Sequence, residues 1–304
     1  MRNIPQGVFP TMITPYTEQG VIDFEAVSRM VDWYAAQGVQ GLFAVCQSSE
    51  MFYLNEDERV ALAAHVVESA RGRMCVVASG HVSDAPEDQL RELTRMAQTG
   101  IDALVLVSNR FADETQGDDV LIERMESLIS RLPAIPLGIY ECPHPYKRLL
   151  SKKVLRYMVQ SGRFAFLKDT CCDAECIRNR LALLDGSIQL YNANTATLLP
   201  SLRAGGSGFS GIMGNIHPQL YVWLCENFAT QMEKAAHLAA FLTLASGIER
   251  GTYPDCAKYH LQQCGIPMQT FSRNTPKGKF NILQKIEMDA LRLLENAFIS
   301  EYLS

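Results

Sequence analysis

Apolar and polar positions recur along the chain as one unit: an amphipathic stretch, a glycine, a short apolar run and a polar loop. Asp23 stands ahead of Phe24, Val27, Met30, Val31 and Tyr34, a spacing that lays one apolar stripe along a helix, and Gly38 follows as its stop. Residues 39–46 then read as a buried strand. Asn55 with Glu58 three residues on has the form of a capping box before Val60, Leu62, Val66 and Val67. A strand at 74–79 and a helix at about 86–98 follow, and then Gly100. Residues 101–107 are almost continuously apolar, as a parallel strand covered on both faces requires. The joints Gly38-Val39-Gln40-Gly41-Leu42 and Gly100-Ile101-Asp102-Ala103-Leu104 repeat one design. Further strands are expected at 135–140, 164–168, 187–191 and 206–211, which with residues 7–14 makes eight. Alternating β and α segments predict a parallel sheet. Eight units within about 230 residues predict a closed (β/α)8 TIM barrel rather than an open sheet. From about His217 the pattern is helical only, and no linker-like stretch divides the chain. The expectation is a single domain, with a barrel at 1–228 and C-terminal helices at 229–304.

Composition narrows the partners. Of 304 residues, 47% are hydrophobic and 20% charged, which suits a folded protein with a sizeable core. Lys and Arg number 28 against 33 Asp and Glu, a formal charge of −5, and no basic run offsets it locally. Such a chain has no general attraction for nucleic acid or an anionic membrane, so a small-molecule partner is expected. The start, Met1-Arg2-Asn3-Ile4-Pro5-Gln6-Gly7, lacks the apolar core of a signal peptide, and no apolar run has the length of a membrane span. Nine cysteines are an odd number scattered through apolar segments; Cys171, Cys172 and Cys176 cluster without a second pair at zinc-ligand spacing. A cytoplasmic protein with reduced thiols is expected.

Reactive groups in such a barrel sit at the C-terminal ends of strands. Lys168 ends Phe164-Ala165-Phe166-Leu167-Lys168, where an apolar barrel mouth would free its amine to attack a ketone as a Schiff-base nucleophile. Tyr140 ends the preceding strand, within plausible reach as a proton shuttle. The turn Cys46-Gln47-Ser48-Ser49-Glu50 offers small polar side chains and backbone N–H groups to a carboxylate. Gly206-Ser207-Gly208-Phe209-Ser210-Gly211 matches a dinucleotide fingerprint literally, but it lies within the last strand and has no acidic residue about 20 positions on. It reads instead as a close-packed strand, or an oxyanion or phosphate site near the last strand. His81 and His144, with Glu141 nearby, leave open a catalytic divalent metal.

These pieces, taken in order, resemble the dihydrodipicolinate synthase / N-acetylneuraminate lyase family. The resemblance rests on Gly7-Val8-Phe9-Pro10-Thr11-Met12-Ile13-Thr14-Pro15-Tyr16, the hydroxyl-rich turn ending in Glu50, Tyr140 to Pro143, Leu167-Lys168-Asp169-Thr170, and the Gly-rich last strand followed by Asn215. It runs from about Gly7 to Gln219. It implies a barrel, usually a tetramer, that forms a Schiff base with pyruvate or another 2-oxo acid without a cofactor or metal. Carried over, Lys168 is the nucleophile and Tyr140 the proton-transferring phenol; Gln47 and Ser48 stand at the two positions that bind the pyruvyl carboxylate. Ser210 matches the residue whose backbone carbonyl faces the catalytic centre. The chain departs from the family at several positions. Gln47 puts an amide where a relay hydroxyl is usual, Phe111 stands where a neighbouring subunit lends a tyrosine, and Pro145 replaces an arginine for the aldehyde's carboxylate. Lys147 or Arg148 is a candidate to compensate for that arginine, and Thr195 and Ala196 stand at substrate-binding positions of the sialate lyases.

The leading expectation is therefore a class I, metal-free 2-oxo-acid lyase or synthase, homo-oligomeric as a dimer or tetramer, with an aldehyde as possible second substrate. Two alternatives come from other classes. One is a barrel that binds a 2-oxo or sugar acid without turning it over; the other is a metal-dependent aldolase using His81 and His144.

Overall fold

The computed structural model describes residues 4–274 and 280–303. Eight strands, β1 (Gly7–Val8), β2 (Gly41–Phe43), β3 (Cys75–Ala78), β4 (Ala103–Val107), β5 (Leu137–Tyr140), β6 (Phe164–Asp169), β7 (Gln189–Asn192) and β8 (Gly208–Phe209), pair in parallel. Their order is β1-β8-β7-β6-β5-β4-β3-β2. The ring closes between β1 and β2 just past the ladder: Phe43 N donates to Pro10 O at 3.0 Å and Met12 N to Phe43 O at 3.0 Å. The expected first strand, 7–14, is thus shortened to two ladder residues. Pro10 has no N–H to give, and the chain continues as single bonds to Phe43.

One helix follows each strand: α1 (Phe24–Ala36), α2 (Glu56–Ala70), α3 (Pro86–Ala97), α4 (Asp118–Arg131), α5 (Lys152–Ser161), α6 (Ala174–Leu184), α7 (Leu198–Arg203) and α8 (Pro218–Asn227). The sequence signals act as expected. Asp23 accepts from Ala26 N at 3.0 Å, and both halves of the Asn55–Glu58 capping box form at 2.9 Å. Beyond the barrel come α9 (Met232–Glu249), α10 (Asp255–Gln263) and α11 (Ile282–Leu303). The carboxylate of Glu295 ties α11 to the barrel layer, 2.9 Å from His217 and 3.8 Å from His260, all three buried. Among the described residues, no helix is long and apolar enough to cross a membrane.

Aromatic rings fill the barrel interior. Phe9, Phe166 and Tyr191 meet at centroid distances of 4.6 to 5.6 Å, and Phe43 adds edge contacts to Tyr140 at 5.9 Å and Phe166 at 6.1 Å. These rings form an aromatic layer beneath Tyr140 and Lys168 at the C-terminal ends of their strands.

The Gly-rich last strand is a packing device. Gly208 has φ +150°, and a Cβ there would lie 1.8 Å from the Gly7 carbonyl oxygen. Only a residue without a side chain lets β8 pair with β1. Gly208→Ala is expected to destabilise the fold by about 3 kcal/mol or more, through overpacking against backbone and a disfavoured φ. Urea unfolding measures it; a midpoint equal to wild type contradicts the account.

Candidate active site

Parallel pairing sets Tyr140 of β5 directly opposite Lys168 of β6, and Lys168 opposite Tyr191 of β7. Side chains alternate faces along a strand, so these three point inward together. The Lys168 amine lies 4.2 Å from the centre of the Tyr140 ring and 5.5 Å from that of Phe43, and the residue is 4% exposed. Burial on this aromatic floor pushes its pKa from 10.5 down to about 8. The same burial pushes the Tyr140 phenol well above its usual value, so it stays protonated.

The next residue on each strand faces outward. Glu141 and Asp169 are buried behind the barrel wall, where Arg180 from α6 reaches both carboxylates. Arg180 Nη2 is 2.7 Å from Glu141 Oε1 and donates to Leu150 O at 3.0 Å. Glu141 also accepts from Leu150 N at 2.7 Å and Thr170 N at 3.0 Å, and Asp169 accepts from Cys171 N at 2.9 Å. The triad locks the ends of β5 and β6, and with them the Tyr140–Lys168 spacing. Sequence reasoning missed it, although an acidic residue directly follows both Tyr140 and Lys168. The alternative left open above, in which Glu141 helps His81 and His144 hold a metal, finds no support here, because its oxygens are spent on Arg180 and on backbone amides.

The turn after β2 brings Gln47 and Ser48 to the same cavity. Gln47 Oε1 accepts from the Tyr140 hydroxyl at 3.1 Å, so an amide holds the phenol where a relay hydroxyl was expected from the resemblance. Ser48 Oγ donates to Thr11 Oγ1 at 3.1 Å and is hydrogen-bonded to Tyr253. Tyr253, from the turn between α9 and α10, is a second phenol lining the cavity, and it accepts from Asn215 Nδ2 at 3.0 Å. No local sequence signal marks it, because it reaches the barrel from the helical extension. Ser210 is fully buried after β8, its amide bonded to Asn192 O at 2.9 Å and its hydroxyl without a partner; the adjoining Gly211 lines the cavity.

The cavity has a volume of about 410 Å³. Five other expected positions lie elsewhere. His81 is fully buried beside Phe111, its Nδ1 accepting from Val107 N at 3.1 Å, and burial lowers its pKa to about 3. His144 is exposed and packs on Phe52. Among the described residues no three His, Cys, Asp or Glu side chains group to hold a metal ion. Phe111 is 1% exposed within its own chain's core, so it does not extend toward a neighbour. Arg148 is committed to Asp113 O, Gln116 O and Asp118, whereas Lys147 lines the cavity. Thr195 is bonded to Tyr221 at 2.8 Å, and Ala193 and Asn194 take its place on the cavity wall.

Comparison with known proteins places this geometry. The model of the Dihydrodipicolinate synthetase family matches residues 4–288. The 4-hydroxy-tetrahydrodipicolinate synthase of Anaplasma marginale (strain Florida) is 26% identical over 299 residues, covering 93% of this chain and 95% of that protein. The synthase of Acidithiobacillus ferrooxidans (strain ATCC 53993 / BNL-5-31) is 28% identical over 221 residues, 72% of this chain and 74% of that protein. In fold, the chain is similar to the E. coli K12 prophage protein YagE in complex with pyruvate, with a TM-score of 0.86 at 20% identity over 96% of this chain and 98% of that one. The catalytic lysine mutant of Ruminococcus gnavus sialic acid aldolase gives a TM-score of 0.89 at 16% identity, over 99% of this chain and 100% of that one.

Two outcomes follow from the geometry. Lys168 is expected to half-titrate near pH 8 in competitive amine labelling read by mass spectrometry, against about 10.4 for ordinary lysines. Its lowered pKa means the unfolded chain binds more protons between those values, so this group's contribution to stability grows as pH rises through about 8. Labelling of Lys168 alongside surface lysines contradicts this. Arg180→Met leaves two buried carboxylates without a cation and is expected to cost about 3–5 kcal/mol in a denaturant melt. Arg180→Met combined with Glu141→Gln and Asp169→Asn recovers a large part of the loss.

Proposed function

Because the chain belongs to the dihydrodipicolinate synthetase family, we propose that it is a class I lyase or synthase forming a Schiff base with pyruvate or another 2-oxo acid through Lys168. The observation that carries this reading is a buried amine on aromatic rings in a cavity whose lining, among the described residues, holds no carboxylate. With its pKa lowered to about 8, a useful fraction of the amine is neutral near pH 7, which an ordinary lysine does not offer.

The neutral amine attacks the C2 carbonyl of the oxo acid and gives a carbinolamine. Loss of water, with a proton delivered to the departing hydroxyl, leaves the iminium. Tyr140 is the proton donor: its ring touches the amine and its phenol stays protonated. The iminium draws electrons from C3, so either C3 loses a proton or a C3–C4 bond breaks, and both routes give the enamine. In the synthetic direction the enamine attacks an aldehyde; hydrolysis then frees Lys168. The 2-oxo carboxylate sits at the Gln47–Ser48 turn, and the Ser210–Gly211 backbone closes the far side. Gln47 fixes the phenol but cannot pass a proton on, so Ser48 and Tyr253 are the hydroxyls that connect the cavity to a further acceptor.

Nine free cysteines suit a reducing compartment, and we place the protein in the cytoplasm as a homo-oligomer. A second reading, a barrel that binds a 2-oxo acid without turnover, draws on the amide at Gln47 and on Phe111 being held in its own core.

Borohydride with pyruvate is expected to add one covalent adduct at Lys168, absent in Lys168→Met. Tyr140→Phe is expected to slow turnover about 10²–10⁴-fold while still allowing the adduct. An adduct without turnover on any aldehyde favours the binding barrel. No adduct with any member of a 2-oxo-acid panel overturns both the lyase and the Schiff-base step.

A further inference from the structure

The nine cysteines differ in access. Three are buried, five are half-buried, and Cys172 alone is exposed. Burial also pushes thiols upward: Cys142 and Cys171 lie above their usual value, Cys264 at about 11 and Cys225 at about 12. Such thiols stay protonated near neutral pH and react slowly. The exposed one belongs to the cavity of the buried lysine. Cys172 lies three residues past the end of β6 and lines that cavity together with Lys168. No other cysteine lines it among the described residues. Lys168 is 4% exposed, and its amine has no hydrogen-bond partner among the described residues. One cavity therefore holds a buried amine and the accessible thiol.

The neighbouring thiols are not placed to bond Cys172. The chain holds Cys172 at φ 59°, a left-handed conformation that glycine takes at lower cost. Its Sγ donates to Thr170 O at 3.3 Å, whereas Cys171 Sγ donates to Asp173 O at 3.6 Å. The two adjacent thiols are thus directed to different carbonyls. Cys176 lines another cavity, beside Leu150 and Arg180. A sulfur partner for Cys172 therefore comes from solution. The lining of its cavity carries Lys147, Lys168 and Arg250 and, among the described residues, no carboxylate, which draws in a negatively charged reagent.

We propose that Cys172 is a thiol-modification site: it forms a mixed disulfide with a small disulfide bearing carboxylates, of the glutathione type, and so closes the cavity to the 2-oxo acid. The step is thiol–disulfide exchange. The Cys172 thiolate attacks one sulfur of the reagent, the reagent's S–S bond breaks, and the departing thiolate takes up a proton. The reagent is itself the oxidant, and a thiol reverses the step by the same attack on the new bond. A tripeptide attached to the wall fills much of a cavity of about 410 Å³ and covers the amine. The effect on the 2-oxo acid rests on the Schiff-base reading of Lys168; the modification of Cys172 does not.

The test uses the full chain, reduced and then freed of reductant. It is incubated with glutathione disulfide, and peptide mass mapping follows all nine cysteines. Cys172 is expected to gain the glutathionyl group about tenfold or more faster than any other thiol. Cyanoborohydride with pyruvate then reads Lys168 while leaving disulfides intact. The modified protein is expected to lose most of its pyruvate adduct, and dithiothreitol to restore it. Cys172→Ser keeps the adduct under the same treatment, as does Cys172→Gly, whose backbone suits φ 59° if serine disturbs the loop. Three results overturn the proposal: slow or unselective modification of Cys172, an internal bond to Cys171 or Cys176 in place of the mixed disulfide, or an unchanged adduct in the modified protein. If reduced wild type traps no pyruvate, the Schiff-base reading fails instead. Competitive amine labelling then decides the proposal by itself: modification of Cys172 is expected to suppress labelling of Lys168, and undiminished labelling overturns it.

Discussion

An amine kept out of water and away from any carboxylate is the constraint that organises this barrel mouth. Burial alone would lower the pKa of a lysine, but one well-placed acid would restore its charge. Among the described residues, two fully or nearly fully buried lysines make the contrast directly. Lys258 meets Glu50 at 3.3 Å, Phe271 O at 2.6 Å and Ser272 Oγ at 2.9 Å, the surroundings of an ammonium group. Lys168 meets aromatic faces and no acid. One lysine staples the helical extension to the β2 turn; the other rests on aromatic rings with its pKa lowered to about 8.

Strand parity makes that separation possible. Tyr140 and Glu141 are adjacent on β5, Lys168 and Asp169 on β6, and the pleat sends one of each pair inward and the other outward. The two carboxylates therefore lie one residue from Tyr140 and Lys168 in sequence, yet on the opposite side of the barrel wall. Arg180 takes up their charge there and converts what would be a like-charge repulsion into a clamp on both strand ends. A shift of one residue in the pairing of β5 with β6 would turn one strand over relative to the other, setting Glu141 opposite Lys168 or Asp169 opposite Tyr140.

Most of the barrel was legible in the sequence because its signals are local. The Asp23 cap, the Asn55–Glu58 capping box and the apolar run at 101–107 each arise within a few residues, and each forms in the structure. Tyr140 and Lys168 were also legible, since their reach follows from their being at the ends of neighbouring strands. What stayed hidden depends on distant segments. Arg180 finds its partners across a helix–strand interface, and Tyr253 enters from beyond the last barrel helix. His81 shows the converse: its position past a strand end suggested chemistry, but the ring turns into the core, and an amide of the next strand takes up its Nδ1. Position along the chain does not determine which way a side chain points once the strand has ended.

The division of labour follows the same line. The barrel supplies the buried amine, the phenol and the Gln47–Ser48 turn of the cavity, all within residues 47–168, set above an aromatic layer. The extension supplies Ser246, Arg250, Tyr253 and Asn274, the part of the wall farthest in sequence from the reacting lysine. Glu50 links the two parts: it accepts from the amides of Arg273 at 2.5 Å and Asn274 at 3.0 Å while paired with Lys258. The turn that carries Gln47 and Ser48 thus also anchors the segment bearing Asn274. Chemistry common to a family can reside in such a barrel while the extension varies what is recognised, because the two are joined through side chains such as Glu50 and Glu295 rather than through the strands themselves.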